Sequence, residues 1–124
     1  MKKSVKQELN KILKQHNLED IQQLNWDDMS RYQKLSEDFI KEFQDKLDWE
    51  DICKHQKLSE DFVREFKCKV SWTHISKYQE LSFNFISEFR NKLNLDRLLD
   101  RSLITQKDIN EMYRPVNRFE LIDI

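Results

Sequence analysis

Five side chains of zinc-binding type stand in this sequence: His16, His55, His74, Cys53 and Cys68. Cys53 and His55 are two residues apart, which on a helix turns them about 200° from one another. Cys68 and His74 have no recognised ligand spacing. No metal site is expected from them. His55 reads instead as a packing residue, because Tyr32 and Tyr78 occupy the same place in sister segments. Two cysteines without a framework spacing point to a reduced, cytoplasmic setting. Carboxylates are abundant, but they fall at helix starts and on outer faces, where solvent keeps their chemistry ordinary. No Ser/His/Asp or Cys/His constellation is visible in the sequence. Neither catalytic residues nor a cofactor are expected, and the reading is that of a protein without enzymatic activity.

Composition narrows the choice further. The chain has 124 residues, no Gly and one Pro. Without Gly there is no phosphate-binding glycine loop, no dinucleotide fingerprint and no nucleophile elbow. Charged residues make up 36% of the chain, yet the net charge is only −1. Short helices with wet outer faces fit that balance, and the total charge favours neither a nucleic-acid binder nor a nucleic-acid mimic. No stretch approaches the ~20 apolar residues of a membrane span. The first residues lack the apolar core of a signal peptide.

The elements that must position these residues form a tandem repeat. Frames of 23 residues begin at Asn25, Asp48, Ser71 and Asn94, and eight positions are identical in the first three. They are Trp26, Trp49 and Trp72; Gln33, Gln56 and Gln79; Leu35, Leu58 and Leu81; and Ser36, Ser59 and Ser82. The others are Phe39, Phe62 and Phe85; Glu42, Glu65 and Glu88; Phe43, Phe66 and Phe89; and Lys46, Lys69 and Lys92. Position 1 (Asn25, Asp48, Ser71, Asn94) and position 12 (Ser36, Ser59, Ser82, Thr105) are all good N-cap types. Each frame therefore predicts a helix A over about positions 2–9 and a helix B over about positions 13–22. Trp26, Met29 and Tyr32 give helix A its apolar stripe. Phe39, Ile40, Phe43 and Leu47 give helix B its own. Leu35 is placed to staple the start of helix B. Glu42–Lys46, Glu65–Lys69 and Glu88–Lys92 read as i,i+4 ion pairs on the outer face.

One such hairpin cannot bury both stripes, so the expected fold is all-α, a short α-solenoid of stacked hairpins with two helices per repeat. The invariant Gln is expected to bond backbone across the A–B turn or in the next repeat. Residues 1–24 read as an N-terminal helical cap, with Val5, Leu9, Ile12 and Leu13 on the buried stripe of a helix over 3–15. Residues 25–47, 48–70 and 71–93 are full repeats. Residues 94–114 form a degenerate capping repeat, with Leu95 in place of Trp, Leu98 and Ile104 kept, Ile109 and Met112 on the stripe, and Asp108 in place of Phe. Residues 115–124 form a tail, with Pro115 ending the last helix.

Scaffold positions are fixed, so function is sought where frames differ. Arg31, Lys34, Lys54, Lys57 and Lys77 line one helix A face as a basic stripe, set against acids at neighbouring positions. Phe83 stands where Glu37 and Glu60 stand in the earlier frames. It is either an exposed anchor for a partner or a contact with the end cap or tail.

The run from Trp72 through Ile75, Ser76, Tyr78, Gln79, Leu81 and Ser82 to Phe85, Ile86, Glu88 and Phe89 resembles a short tandem repeat of proteins from phages and large DNA viruses. The resemblance covers residues 25–93 well and 94–114 weakly. It implies binding of host proteins, including defence proteins such as CRISPR effectors, in the host cytoplasm. Three roles follow as expectations. The first is a stoichiometric protein-binding module acting on a host protein. The second is a nucleic-acid contact through the basic stripe. The third is a self-assembling structural element that associates through its ends.

Overall fold

The computed structural model describes residues 1–114. Pro115 and the tail 116–124 lie outside the described residues. Among the described residues the protein is all-α, with nine α-helices and no strand. The chain divides into two compact units, Met1–Gln79 and Glu80–Ile124.

The first unit holds α1 (Lys3–Gln15), a 3-10 turn (Ile21–Gln23), α2 (Trp26–Tyr32), α3 (Glu37–Glu42), α4 (Trp49–His55), α5 (Glu60–Glu65) and α6 (Trp72–Tyr78). Val5, Leu9, Ile12 and Leu13 form the buried face of α1. With no Gly in the chain, α1 ends on Asn17, whose φ is 55°, while Leu18 N–H bonds back to the Leu13 carbonyl at 2.8 Å. Asn tolerates that left-handed turn better than most residues.

All three frame starts and both mid-frame starts of this unit are capped as the sequence predicts. Asn25, Asp48 and Ser71 accept from the N–H groups of Asp28, Asp51 and His74. Ser36 and Ser59 accept from Phe39 and Phe62. Helix A packs on helix A through the unit, α2 on α4 and α4 on α6.

The invariant Gln holds successive frames together. Gln56 is buried; it donates to the carbonyls of Ser30 (3.1 Å) and Gln33 (2.7 Å) and accepts from Leu35 N–H at 3.1 Å. Gln79 repeats the pattern, donating to Cys53 (2.8 Å) and Gln56 (2.7 Å) and accepting from Leu58 N–H at 3.0 Å. The target is thus the A–B turn of the preceding frame, where helix A ends with carbonyls it cannot satisfy itself.

Three further links join the same frames. Ser30 and Cys53, both fully buried, accept from the N–H of the next frame's cap, Asp48 at 2.9 Å and Ser71 at 3.4 Å. Glu37 accepts from both Ser59 N–H (2.6 Å) and Ser59 Oγ (2.9 Å), and Glu8 of α1 does the same for Ser36 at 3.0 and 2.6 Å. α1 therefore fills for the first frame the place that helix B fills for the second, and it packs on α3. Trp49 and Trp72 donate their indole N–H to the carbonyls of Gln44 (2.9 Å) and Lys67 (3.1 Å).

Helix B is shorter than the sequence predicts. α3 and α5 stop at Glu42 and Glu65, four residues short of position 22, and residues 43–46 form a turn. Gln44 turns its amide onto the Lys41 carbonyl at 2.9 Å while its own carbonyl serves Trp49. The expected i,i+4 pairs lose their helical geometry as a result. Glu65 pairs with Lys41 at 3.0 Å, and Lys69 with Asp45 at 2.9 Å. Lys46 and Lys69 lie over the rings of Trp26 and Trp49, each at 5.9 Å. Each Trp in turn meets the two Phe residues of its own frame, Trp26 at 6.4 and 5.2 Å, Trp49 at 6.1 and 5.4 Å.

The second unit holds α7 (Phe83–Glu88), α8 (Leu95–Asp100) and α9 (Gln106–Met112). Ser82, Asn94 and Thr105 cap them. Phe85, Ile86, Leu98 and Ile104 are buried, whereas Ile109 and Met112 are half-buried. Asp108 completes a capping box with Thr105, bonding Thr105 N–H at 2.9 Å, which accounts for a carboxylate where earlier frames carry Phe. α8 ends on Ser102 at φ 59°, with Leu103 N–H on the Leu98 carbonyl at 3.0 Å.

Gln56→Ala should lower stability by about 2–4 kcal/mol, because two buried carbonyls and one N–H lose their partner. Gln33→Ala, at the same frame position but with no preceding repeat turn to bond, should stay within about 0.5 kcal/mol. Urea unfolding of the two variants checks this, and equal losses would refute the clamp.

Candidate functional site

The close approach of α2, α4 and α6 rests on small side chains. Ser30, Cys53 and Ser76 are 0% exposed, so helix A can lie against helix A. Positions 5 and 6 of each frame, such as Met29 and Ser30, point inward. Position 8 follows position 6 by about 200° and points out. The expectation that Tyr32, His55 and Tyr78 pack inward is therefore corrected. Tyr32 is 76% exposed, Tyr78 42%, and His55 is also exposed.

These residues share a face with the basic stripe. Arg31 meets Asp51 at 3.1 Å and lies 5.8 Å over the Tyr32 ring. The hydrogen bond to Asp51 raises the pKa of Arg31 further above its ordinary value. Asp51 also stands 4.0 Å from His55. Lys54 and Lys77 lie over the Tyr78 ring at 5.5 and 5.8 Å, and His74 stacks on it at 6.1 Å. Lys34 and Lys57 are exposed in the A–B turns. The structure thus places Arg31, Lys54 and Lys77 on one row and brings three aromatic rings to it that sequence reasoning had assigned to the core. Phe83 is 47% exposed at the first residue of α7, in the second unit.

Two clefts open beside α1. One, of about 540 Å³, is lined by Gln15, His16, Leu18, Met29, Tyr32 and Gln33 among others. The second, of about 600 Å³, lies along Glu8, Lys11, Ile12, Gln15, Lys34 and Leu35. Gln33 lines both, and its side-chain amide oxygen Oε1 faces His16 Nε2 at 3.3 Å.

Ser71 Oγ and His74 Nδ1 are 2.7 Å apart, the contact a nucleophile and its base would make. The same hydroxyl caps α6 through His74 N–H at 3.4 Å. Among the described residues no carboxylate meets the other His74 nitrogen to orient the ring. Nor do the described residues contain a group of three or more His, Cys, Asp or Glu placed to hold a metal ion. No described helix is long and apolar enough to cross a membrane.

Cys68 is exposed and Cys53 is buried, and burial pushes the Cys53 thiol up to about 11. Neutral Cys53 favours the fold, so its contribution is complete below pH 9.0 and is lost as pH rises toward about 11. Cys53→Ser, the residue the chain itself uses at positions 30 and 76, should fold normally and flatten the fall in stability across that window. In the native wild type a thiol reagent should label Cys68 quickly and Cys53 only on unfolding. Rapid labelling of both would contradict this packing.

Comparison of the chain with protein-family models, with curated proteins and with solved structures finds no match.

Proposed function

We propose that the protein is a non-enzymatic protein-binding module, built as a short α-solenoid with two helices per 23-residue repeat. The observation that carries this reading is the exposed row on α2, α4 and α6. It sets Tyr32, His55 and Tyr78 beside Arg31, Lys54 and Lys77 on three helices packed in succession, α2 on α4 and α4 on α6. Tyr and Arg are enriched among the residues that dominate binding at protein interfaces, Tyr because it buries a large area with few rotatable bonds and keeps a polar tip, Arg because its planar guanidinium bonds in a fixed fork. The row is rigid, since the helices beneath it are joined by buried hydrogen bonds. The residues that build it differ from frame to frame, whereas the Gln and Trp that join the frames do not.

The resemblance to phage and viral repeats extends this reading to a host defence protein, a CRISPR effector among the candidates, blocked by stoichiometric occupancy. Phe83 supplies a second exposed anchor in the other unit.

Affinity capture from a bacterial host lysate, followed by light scattering on the recovered complex, tests the proposal. A complex of fixed stoichiometry is expected. Tyr32→Ala with Tyr78→Ala should weaken it by roughly a thousandfold if each ring is worth about 2 kcal/mol. Absence of a stoichiometric partner, or a partner held equally well by the double variant, overturns the assignment of this row. Growth in mass with concentration of the purified chain alone would indicate self-assembly instead.

A further inference from the structure

Frame position 7 carries a cation three times in the first unit, as Arg31, Lys54 and Lys77. The first is neutralised within the fold. Arg31 reaches Asp51 at 3.1 Å, a carboxylate at position 4 of the following frame. The same step from Lys54 leads to His74 rather than to an acid. The first turn of α6 contains no acidic residue at all, whereas those of α2 and α4 contain two each.

The consequence is visible in the side chains. Among the described residues neither Lys54 nor Lys77 has a carboxylate partner. Both ammonium groups collect instead over one ring, that of Tyr78, at 5.5 and 5.8 Å. His74 stacks against the same ring at 6.1 Å. Two like charges gathered on one aromatic side chain repel one another, and an approaching anion would relieve that repulsion. Tyr78 is 42% exposed, so its hydroxyl and both ammonium groups are open to a ligand.

We propose that Lys54, Lys77 and Tyr78 form a docking site for an acidic segment of a partner protein, one that presents Asp or Glu side chains. This rests on the protein-binding reading and names the charge of what is bound. Charge complementarity calls for an anion at this corner, and the surroundings favour a short acidic cluster over a nucleic acid. The Tyr78 ring is already occupied by His74 and the two ammonium groups, which leaves little of it for a base to stack on. A polyphosphate continuing along the row would meet Asp27, Asp28, Glu50 and Asp51 on α2 and α4.

The chain supplies its own test substitution. His74→Asp recreates at α6 the residue found at positions 28 and 51, gives Lys54 the partner that Arg31 has, and suits a helix first turn. Its fold is checked by circular dichroism and thermal melting. Lys54→Gln with Lys77→Gln is the second variant, and Lys107→Gln, at an exposed lysine of α9, the control. The probe is a fluorescein-labelled peptide of alternating Glu and Tyr, followed by anisotropy, with an oligothymidylate of similar charge alongside. Wild type should bind the peptide better than the oligonucleotide. Binding should weaken as salt rises from about 50 to 200 mM. It should fall about tenfold in the double Lys variant and about threefold in His74→Asp, with Lys107→Gln unchanged. No peptide binding by wild type, equal loss with Lys107→Gln, or preference for the oligonucleotide each overturns the proposal. The captured-partner experiment reads the protein-binding role separately, so an intact complex with a failed peptide arm sinks this site alone.

Discussion

Gln56 and Gln79 each thread a carboxamide into the turn of the preceding frame, and the arrangement of the first unit depends on that fit. A helix of seven residues leaves most of its C-terminal carbonyls without intrahelical partners. Covering that end with the next frame would cost about 1–3 kcal/mol for each group left unpaired. The Gln amide offers two N–H donors and one carbonyl acceptor, and the turn presents two carbonyls and one N–H. Glu has no donor to give, and Asn is one methylene shorter. The match explains why this polar residue is identical in three frames while buried in two. It also fixes register, because a slip by one residue would withdraw all three bonds together.

Close approach is the second half of the same constraint. The carboxamide reaches the turn only if helix A lies tightly on helix A, which the small buried residues Ser30, Cys53 and Ser76 permit. Ser30 and Cys53 also accept the N–H of the next cap, so the contact that allows proximity also satisfies a helix start. Gln, Trp, the caps and position 6 are committed to joining frames, whereas positions 4, 7 and 8 meet across frames through exposed contacts, Arg31 on Asp51 and Lys54 over Tyr78. These positions differ from frame to frame, and the exposed cations and rings occupy them.

The capping pattern was legible because capping is local: a side chain reaches a backbone N–H three residues on, and all eight predicted caps are present. The end of helix B was not, because α3, α5 and α7 stop at Glu42, Glu65 and Glu88 alike, without a local cap residue to mark the stop and, for α7, without a Trp in the following frame. Tyr32 was misplaced for a different reason. Trp26, Met29 and Tyr32 are spaced by three, so they look like one stripe, yet in a helix of two turns the inward face is set by which residues meet the neighbour. Ser30 is polar and reads as outward, but its hydroxyl has both a donor and an acceptor to bond inside. The row of exposed rings was hidden by these paired errors, although the cations beside it were seen from the sequence. The difference between Asp51 and His74 was present in the sequence from the start. It gained meaning only once Arg31 was found on Asp51, across a frame boundary.

Position 9 also distinguishes the frames at either end. In the first frame Gln33 has no earlier repeat turn to clamp, and its side-chain amide oxygen turns to His16 beside two clefts. In the fourth frame the position belongs to Ser102, whose side chain is too short for the clamp and whose backbone adopts φ 59°. A turn closed in that way takes its own carbonyl bonds from Ser102 and Leu103 N–H rather than from a side chain. The end of α8 is then satisfied locally and needs no Gln from another frame. α2 and α4 instead leave their last carbonyls to the Gln of the frame that follows, so the two ways of closing helix A differ in which frame supplies the bonds.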